Sequence, residues 1–109
     1  MERVYNKLVR DKIPAVIAQT GETAVTRTLD ETAYKDELEK KLYEEYREVI
    51  EAEGEERLEE LADMLEVIRA LAKTENCTLP QLIALADAKA AERGAFDEGI
   101  FLEKVIPAK

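Results

Sequence analysis

The chain has 109 residues, of which 46% are hydrophobic and 38% are charged, and its formal net charge is -9. This length and composition predict a single domain over residues 1–109. The acidic balance argues against nucleic acid or an anionic membrane as the main partner. No apolar run approaches the ~18 residues that a membrane-spanning helix needs.

The numbers of cysteine and histidine residues exclude several kinds of cross-link, catalytic site and metal site. Cys77 is the only cysteine, which excludes an internal disulfide and indicates a reducing, cytoplasmic setting. The first residues also lack the apolar core of a signal peptide. There is no histidine, so serine–histidine and cysteine–histidine catalysis, the usual zinc sites and histidine-containing di-iron bundles are all excluded.

Helical patterns dominate the chain and predict an all-α bundle of about four helices. The first helix lies within a basic segment of about Asn6–Thr20, and the approximate bounds of the other three are Glu31–Glu53, Glu55–Thr74 and Pro80–Arg93. We expect Asp11 to cap the first helix and either Asp30 or Thr32 to cap the second. Gly54 and Gly94 are expected to end the second and fourth helices.

Two further patterns concern the core and a minor β element. The third helix is apolar around most of its circumference, which is typical of a central helix. Two short segments, "TAVTRTL" (23–29) and "IFLEKVI" (100–106), alternate between apolar and polar residues. This alternation predicts that they pair as a small two-stranded sheet.

Residues 42–63 are rich in Asp and Glu, and some of these acids fall on faces that otherwise have a buried pattern. Glu45 shares a helical stripe with Leu38 and Val49, and Glu48 flanks that stripe. On the third helix, Glu60 and Asp63 lie on the side away from the polar strip. A buried carboxylate is costly unless it is paired or bound to a metal. The four acids therefore predict a site for Mg²⁺ or Mn²⁺, which prefer hard oxygen ligands.

Several motifs resemble those of one family, the MazG-like nucleoside triphosphate pyrophosphohydrolases. "EEYRE" at Glu44–Glu48 followed by "ELAD" at Glu60–Asp63 resembles their Glu-x-x-Glu…Glu-x-x-Asp signature. "YNKLVRDKIP" at Tyr5–Pro14 and "KAAERGAF" at Lys89–Phe96 resemble terminal motifs of a short, single-domain subgroup. Ala95 departs from that subgroup, which has a second glycine there, and alanine permits fewer of the backbone conformations that a close approach to phosphate would use.

The resemblance implies an activity and a set of site residues. The activity is Mg²⁺-dependent hydrolysis of a nucleoside triphosphate between the α and β phosphates, which yields a monophosphate and pyrophosphate. The implied metal ligands are Glu45, Glu48, Glu60 and Asp63, and Glu44 and Glu45 are the implied catalytic acids. The implied phosphate-binding cations are Lys7, Arg10, Lys12, Lys89 and Arg93.

The sequence leaves other functions open. The first alternative is hydrolysis of phosphoribosyl-ATP in histidine synthesis, by an enzyme with the same fold and the same metal dependence as the resembled family. A non-catalytic acidic helical module that mediates self-assembly is an alternative of another class. The apolar residues between positions 58 and 71 surround most of the third helix and are hard to cover within one chain. Relatives in the resembled family form dimers or tetramers. We therefore expect a homodimer or a higher homo-oligomer.

Overall fold

The computed structural model describes all 109 residues and contains four α-helices and no β-strand. The helices are α1 (Ile13–Gln19), α2 (Glu31–Glu51), α3 (Gly54–Thr74) and α4 (Leu79–Arg93). The predicted all-α helical architecture is therefore confirmed. None of the helices combines the length and the apolar character that crossing a membrane requires.

Local side-chain chemistry accounts for where two of the helices, α2 and α4, begin. The Asp30 carboxylate accepts a hydrogen bond from the Ala33 N–H at 2.8 Å, so Asp30 rather than Thr32 caps α2. Thr78 and Gln81 form a reciprocal capping box at the start of α4. The prediction that Asp11 caps α1 is wrong, because α1 begins at Ile13 and the residue at its N-cap is Lys12.

The turn between α2 and α3 folds these two long helices against each other. Helix α2 ends at Glu51, earlier than predicted, and Ala52 and Glu53 form the connection. Gly54 has φ +61, in the left-handed region that glycine enters without steric cost, and it begins α3 rather than ending α2. This short glycine turn makes α2 and α3 an antiparallel hairpin.

The core of the chain is small and lies where α2 and α3 pack. Only five hydrophobic residues are buried, and none of them completely: Leu38, Val49, Ala52, Val67 and Ala72. Helix α4 packs against α3 but not against α2, and α1 packs against none of the other helices. The central position predicted for α3 is only partly realised, because Leu58, Leu61 and Leu65 remain 66%, 45% and 44% exposed.

The shape is extended for a chain of this length. Its radius of gyration is 19.1 Å, whereas a compact domain of the same length would have a radius of about 13 Å. Its accessible surface is 10106 Å², against about 6,100 Å² for a compact monomer of the same mass. A single copy therefore leaves much more surface in water than a self-sufficient domain does.

The predicted two-stranded sheet is absent, so this prediction is wrong. No backbone hydrogen bond joins residues 23–29 to residues 100–106, and Val25 and Leu102 are 96% and 72% exposed. A strand exists only where a second strand pairs with it. Helix α4 buries none of its residues, so the segment that follows it is not held against residues 23–29.

Candidate metal centre

Three carboxylates from the two helices of the hairpin converge near its turn. One oxygen each of Glu45 on α2 and of Glu60 and Asp63 on α3 lies within 4.8 Å of the other two. Gly54 is midway in sequence between Glu45 and Asp63, and an antiparallel pair places such positions at the same level. The structure thus brings together three of the four predicted metal ligands.

Glu45 is the one charged residue of the chain that is buried. It is 7% exposed and lies between Leu38 and Val49 on the inner face of α2. Its Oε2 is buried without a hydrogen-bond partner, and so is Oε2 of Glu60. Lys41 Nζ lies 3.9 Å from the other oxygen of Glu45, which is too far for a strong contact. An unpartnered buried carboxylate oxygen is costly and calls for a cation or a proton.

The carboxyl groups perturb one another's ionisation. The pKa of Glu45 is raised to about 7, mainly by burial and then by a hydrogen bond with the Glu48 carboxyl, while Lys41 opposes the rise. The pKa of Glu60 is raised by hydrogen bonding with Glu48 and by burial. Glu48 therefore lies beside both acids, although it is outside the group of three.

The donor set fits a hard divalent cation. Every available donor in the cluster is a carboxylate oxygen, which is the ligand type of Mg²⁺ and Mn²⁺. The unpartnered oxygens of Glu45 and Glu60 are free to serve as ligands. Glu45, Glu60 and Asp63 would hold the ion, with Glu48 adjacent.

Glu44, predicted as a catalytic acid, faces lysines. Its carboxylate accepts a hydrogen bond from Lys7 Nζ at 3.3 Å and lies 3.6 Å from Lys41 Nζ. It is not a member of the converging group. Its role in activating water stays a prediction.

The predicted phosphate-binding cations divide into two groups. Arg10 Nη2 donates to Asp63 Oδ1 at 2.7 Å, and Lys7 pairs with Glu44, so these two lie at the acidic cluster. The other three are exposed and form no ion pair or hydrogen bond within the chain: Lys12, Lys89 and Arg93. Helix α4 packs against α3, which carries two of the clustered carboxylates, but no ion pair or hydrogen bond joins the side chains of Lys89 and Arg93 to the cluster.

The contact between Arg10 and Asp63 was not anticipated from the sequence. These residues are 53 positions apart, so no helical spacing connects them. The only available signal was the juxtaposition of a basic first segment with an otherwise acidic chain. The approach of Lys41 to Glu45, in contrast, follows from i, i+4 spacing on one helix.

Comparison of the chain with protein-family models, curated proteins and solved structures finds no match. The resemblance to MazG-like enzymes therefore rests on the sequence motifs alone and stays a prediction. The clustered carboxylates are a separate observation, because they depend on how α2 and α3 pack and not on any motif.

Proposed function

We propose that this chain is a divalent-cation-dependent nucleoside triphosphate pyrophosphohydrolase, with Mg²⁺ as the cofactor and Mn²⁺ as a substitute. The observation that carries the proposal is the buried Glu45 carboxylate, which has an unpartnered oxygen and faces Glu60 and Asp63 across the hairpin. A carboxylate in this environment is hard to explain as surface solvation, since burial without a partner opposes folding. The motif resemblance supplies the reaction type.

The reaction adds water across the anhydride between the α and β phosphates. One P–O bond forms, one breaks, and the products are a nucleoside monophosphate, pyrophosphate and a proton. When bound, a divalent cation neutralises the triphosphate and polarises its oxygens. Glu44 and Glu45 are the proposed groups for orienting and deprotonating the attacking water. The raised pKa of Glu45, about 7, suits a group that exchanges a proton near neutral pH.

Basic side chains bind the phosphate oxygens in this scheme. Lys7 and Arg10 already lie beside the acidic cluster. Lys12 belongs to the same segment, and its exposed side chain has no ion pair to break before it binds an anion. Lys89 and Arg93 would take part only if another copy of the chain places them there.

The cation site is tested by thermal unfolding with and without Mg²⁺ or Mn²⁺. A ligand that binds only the native state raises its melting temperature by mass action. We expect a rise for the wild type and for the control variant Glu59→Gln, whose side chain is exposed, but a smaller rise for Glu60→Gln. An equal rise in melting temperature for Glu59→Gln and Glu60→Gln would exclude the site.

The activity is tested by measuring pyrophosphate release from a panel of nucleoside triphosphates. Including phosphoribosyl-ATP separates the general pyrophosphohydrolase from the enzyme of histidine synthesis. We expect release to require the divalent cation and to be lost in Asp63→Asn. Cation binding without hydrolysis of any compound would favour a non-catalytic acidic interaction module.

We also propose that the chain functions as a homodimer or a higher homo-oligomer. Its 10106 Å² of accessible surface exceeds the value for a compact monomer by about 4,000 Å², which is more than the ~1,000–2,500 Å² per partner that obligate dimers bury. Large apolar side chains supply part of this excess on α3 and α4, including Leu58, Leu61, Leu65, Ile83 and Leu85. Sedimentation velocity tests the proposal, and a monomer at micromolar concentration would refute it.

A further inference from the structure

The basic segment before α1 reaches across to the acidic cluster through two ion pairs. Arg10 Nη2 lies 2.7 Å from Asp63 Oδ1 on α3, and Lys7 Nζ lies 3.3 Å from Glu44 Oε1 on α2. We call residues 7–10 the basic strap. The strap thus provides a positive charge to one of the three carboxylates that form the candidate metal centre.

Apart from Leu8, which is half-buried, the strap is held mainly by these ion pairs. Helix α1, which follows it, does not pack against any other helix. The two ion pairs are the only hydrogen-bonded contacts between the first 20 residues and the α2–α3 hairpin. Their side chains are well hydrated: those of Arg10 and Asp63 are 58% and 43% exposed. Ion pairs of this exposure are weak, because water and salt compete with them.

A divalent cation and Arg10 have a ligand in common. Asp63 is paired with Arg10, while Glu45 and Glu60 each have a carboxylate oxygen within 4.8 Å of one of Asp63 and each keep a buried, unpartnered oxygen. An ion that binds all three carboxylates carries twice the charge of a guanidinium and repels it at short range. A bound ion therefore competes electrostatically with Arg10 for Asp63 and weakens their contact.

We propose that the basic strap supplies an intramolecular cation, Arg10, which withdraws from Asp63 when a divalent cation binds. The withdrawn guanidinium is then free to bind an anionic ligand such as a polyphosphate, whose negative charge neutralises both the guanidinium and the divalent ion. Binding is consequently ordered: the metal binds first, and Arg10 becomes available to the anion only afterwards. This inference rests on the proposed metal centre, but it adds a conformational step that the centre alone does not require.

The first test measures Mn²⁺ binding by titration calorimetry at fixed ionic strength. Arg10→Gln removes the competing cation, so we expect a dissociation constant about two- to fivefold lower than that of the wild type, as expected for an exposed ion pair. The matched control is Arg3→Gln, because Arg3 pairs with Glu22 at 2.9 Å, outside the cluster. The Mn²⁺ affinity of this variant should equal that of the wild type. Weaker or unchanged Mn²⁺ binding by Arg10→Gln would overturn the proposal.

The second test follows the strap itself and uses the wild-type chain. Trypsin cleavage after Lys7 and Arg10 is quantified by mass spectrometry relative to cleavage after Arg27, which is exposed in an irregular segment. We expect Mn²⁺ to increase the ratio. Mn²⁺ binding without an increase would refute the strap alone, whereas no Mn²⁺ binding by the wild type would refute the metal centre and the strap together.

Discussion

Replacing Glu45 with glutamine tests the buried carboxylate most directly. Glu45→Gln keeps the shape of the side chain but cannot ionise, and residue 45 is 7% exposed among apolar neighbours. In the wild type the pKa of Glu45 is raised from 4.5 to about 7. Because the folded-state value is the higher one, Glu45 contributes stability that is fully present below about pH 4.5 and is lost as the pH rises through about 7.

The size of this loss of stability follows from the shift in the pKa of Glu45. One pKa unit corresponds to about 1.36 kcal/mol, so the rise from 4.5 to about 7 represents at most about 3 kcal/mol. Part of the shift comes from the neighbouring Glu48 carboxyl and not from burial of Glu45 alone, so the energy is not a property of Glu45 by itself. We therefore expect the wild type to lose roughly 1–3 kcal/mol more than Glu45→Gln between about pH 5 and pH 8.

The assay is urea unfolding followed by circular dichroism, with a chelator present and ionic strength held constant. At pH 8 without divalent cation, Glu45→Gln should be more stable than the wild type, because it removes a buried negative charge. Adding Mg²⁺ should stabilise the wild type more than the variant. The control is Glu51→Gln, since the Glu51 side chain is 69% exposed and only weakly paired with Arg47. Parallel pH profiles for the wild type and Glu45→Gln would refute the reasoning.

Four further substitutions test the fold and assembly. Gly54→Ala, at φ +61, should cost about 1–2 kcal/mol in unfolding free energy, and unchanged urea unfolding would show that the turn conformation is not required. Leu38→Ala, at 3% exposure, should cost about 2–5 kcal/mol, measured in the same way. Asp30→Ala should cost about 1 kcal/mol through loss of the bond to Ala33 N–H, whereas a matched Thr32→Ala should cost less. Leu61→Lys, on the exposed face of α3, should shift the sedimentation coefficient towards that of a monomer, and an unchanged oligomer would place the interface elsewhere.

The helices follow from local patterns, which is why the sequence predicted them well. Capping by Asp30, the capping box of Thr78 and the glycine at position 54 each act over a few residues, and such short-range chemistry is encoded directly in the chain. The inward placement of Glu45 likewise follows from its helical spacing with Leu38 and Val49. Asp11 was misjudged because helix ends shift by one or two residues with small changes in the surroundings.

What the sequence determined by itself was the set of helices and the face of α2 that carries an acid into the core, because both depend on periodicity within a single helix. Only the tertiary structure decided which acids meet: Glu45, Glu60 and Asp63 converge through hairpin packing, while Glu44 turns to Lys7. The tertiary structure also placed Arg10 on Asp63 and left residues 23–29 and 100–106 unpaired. These outcomes depend on contacts between residues distant in the chain, for which local spacing carries no information.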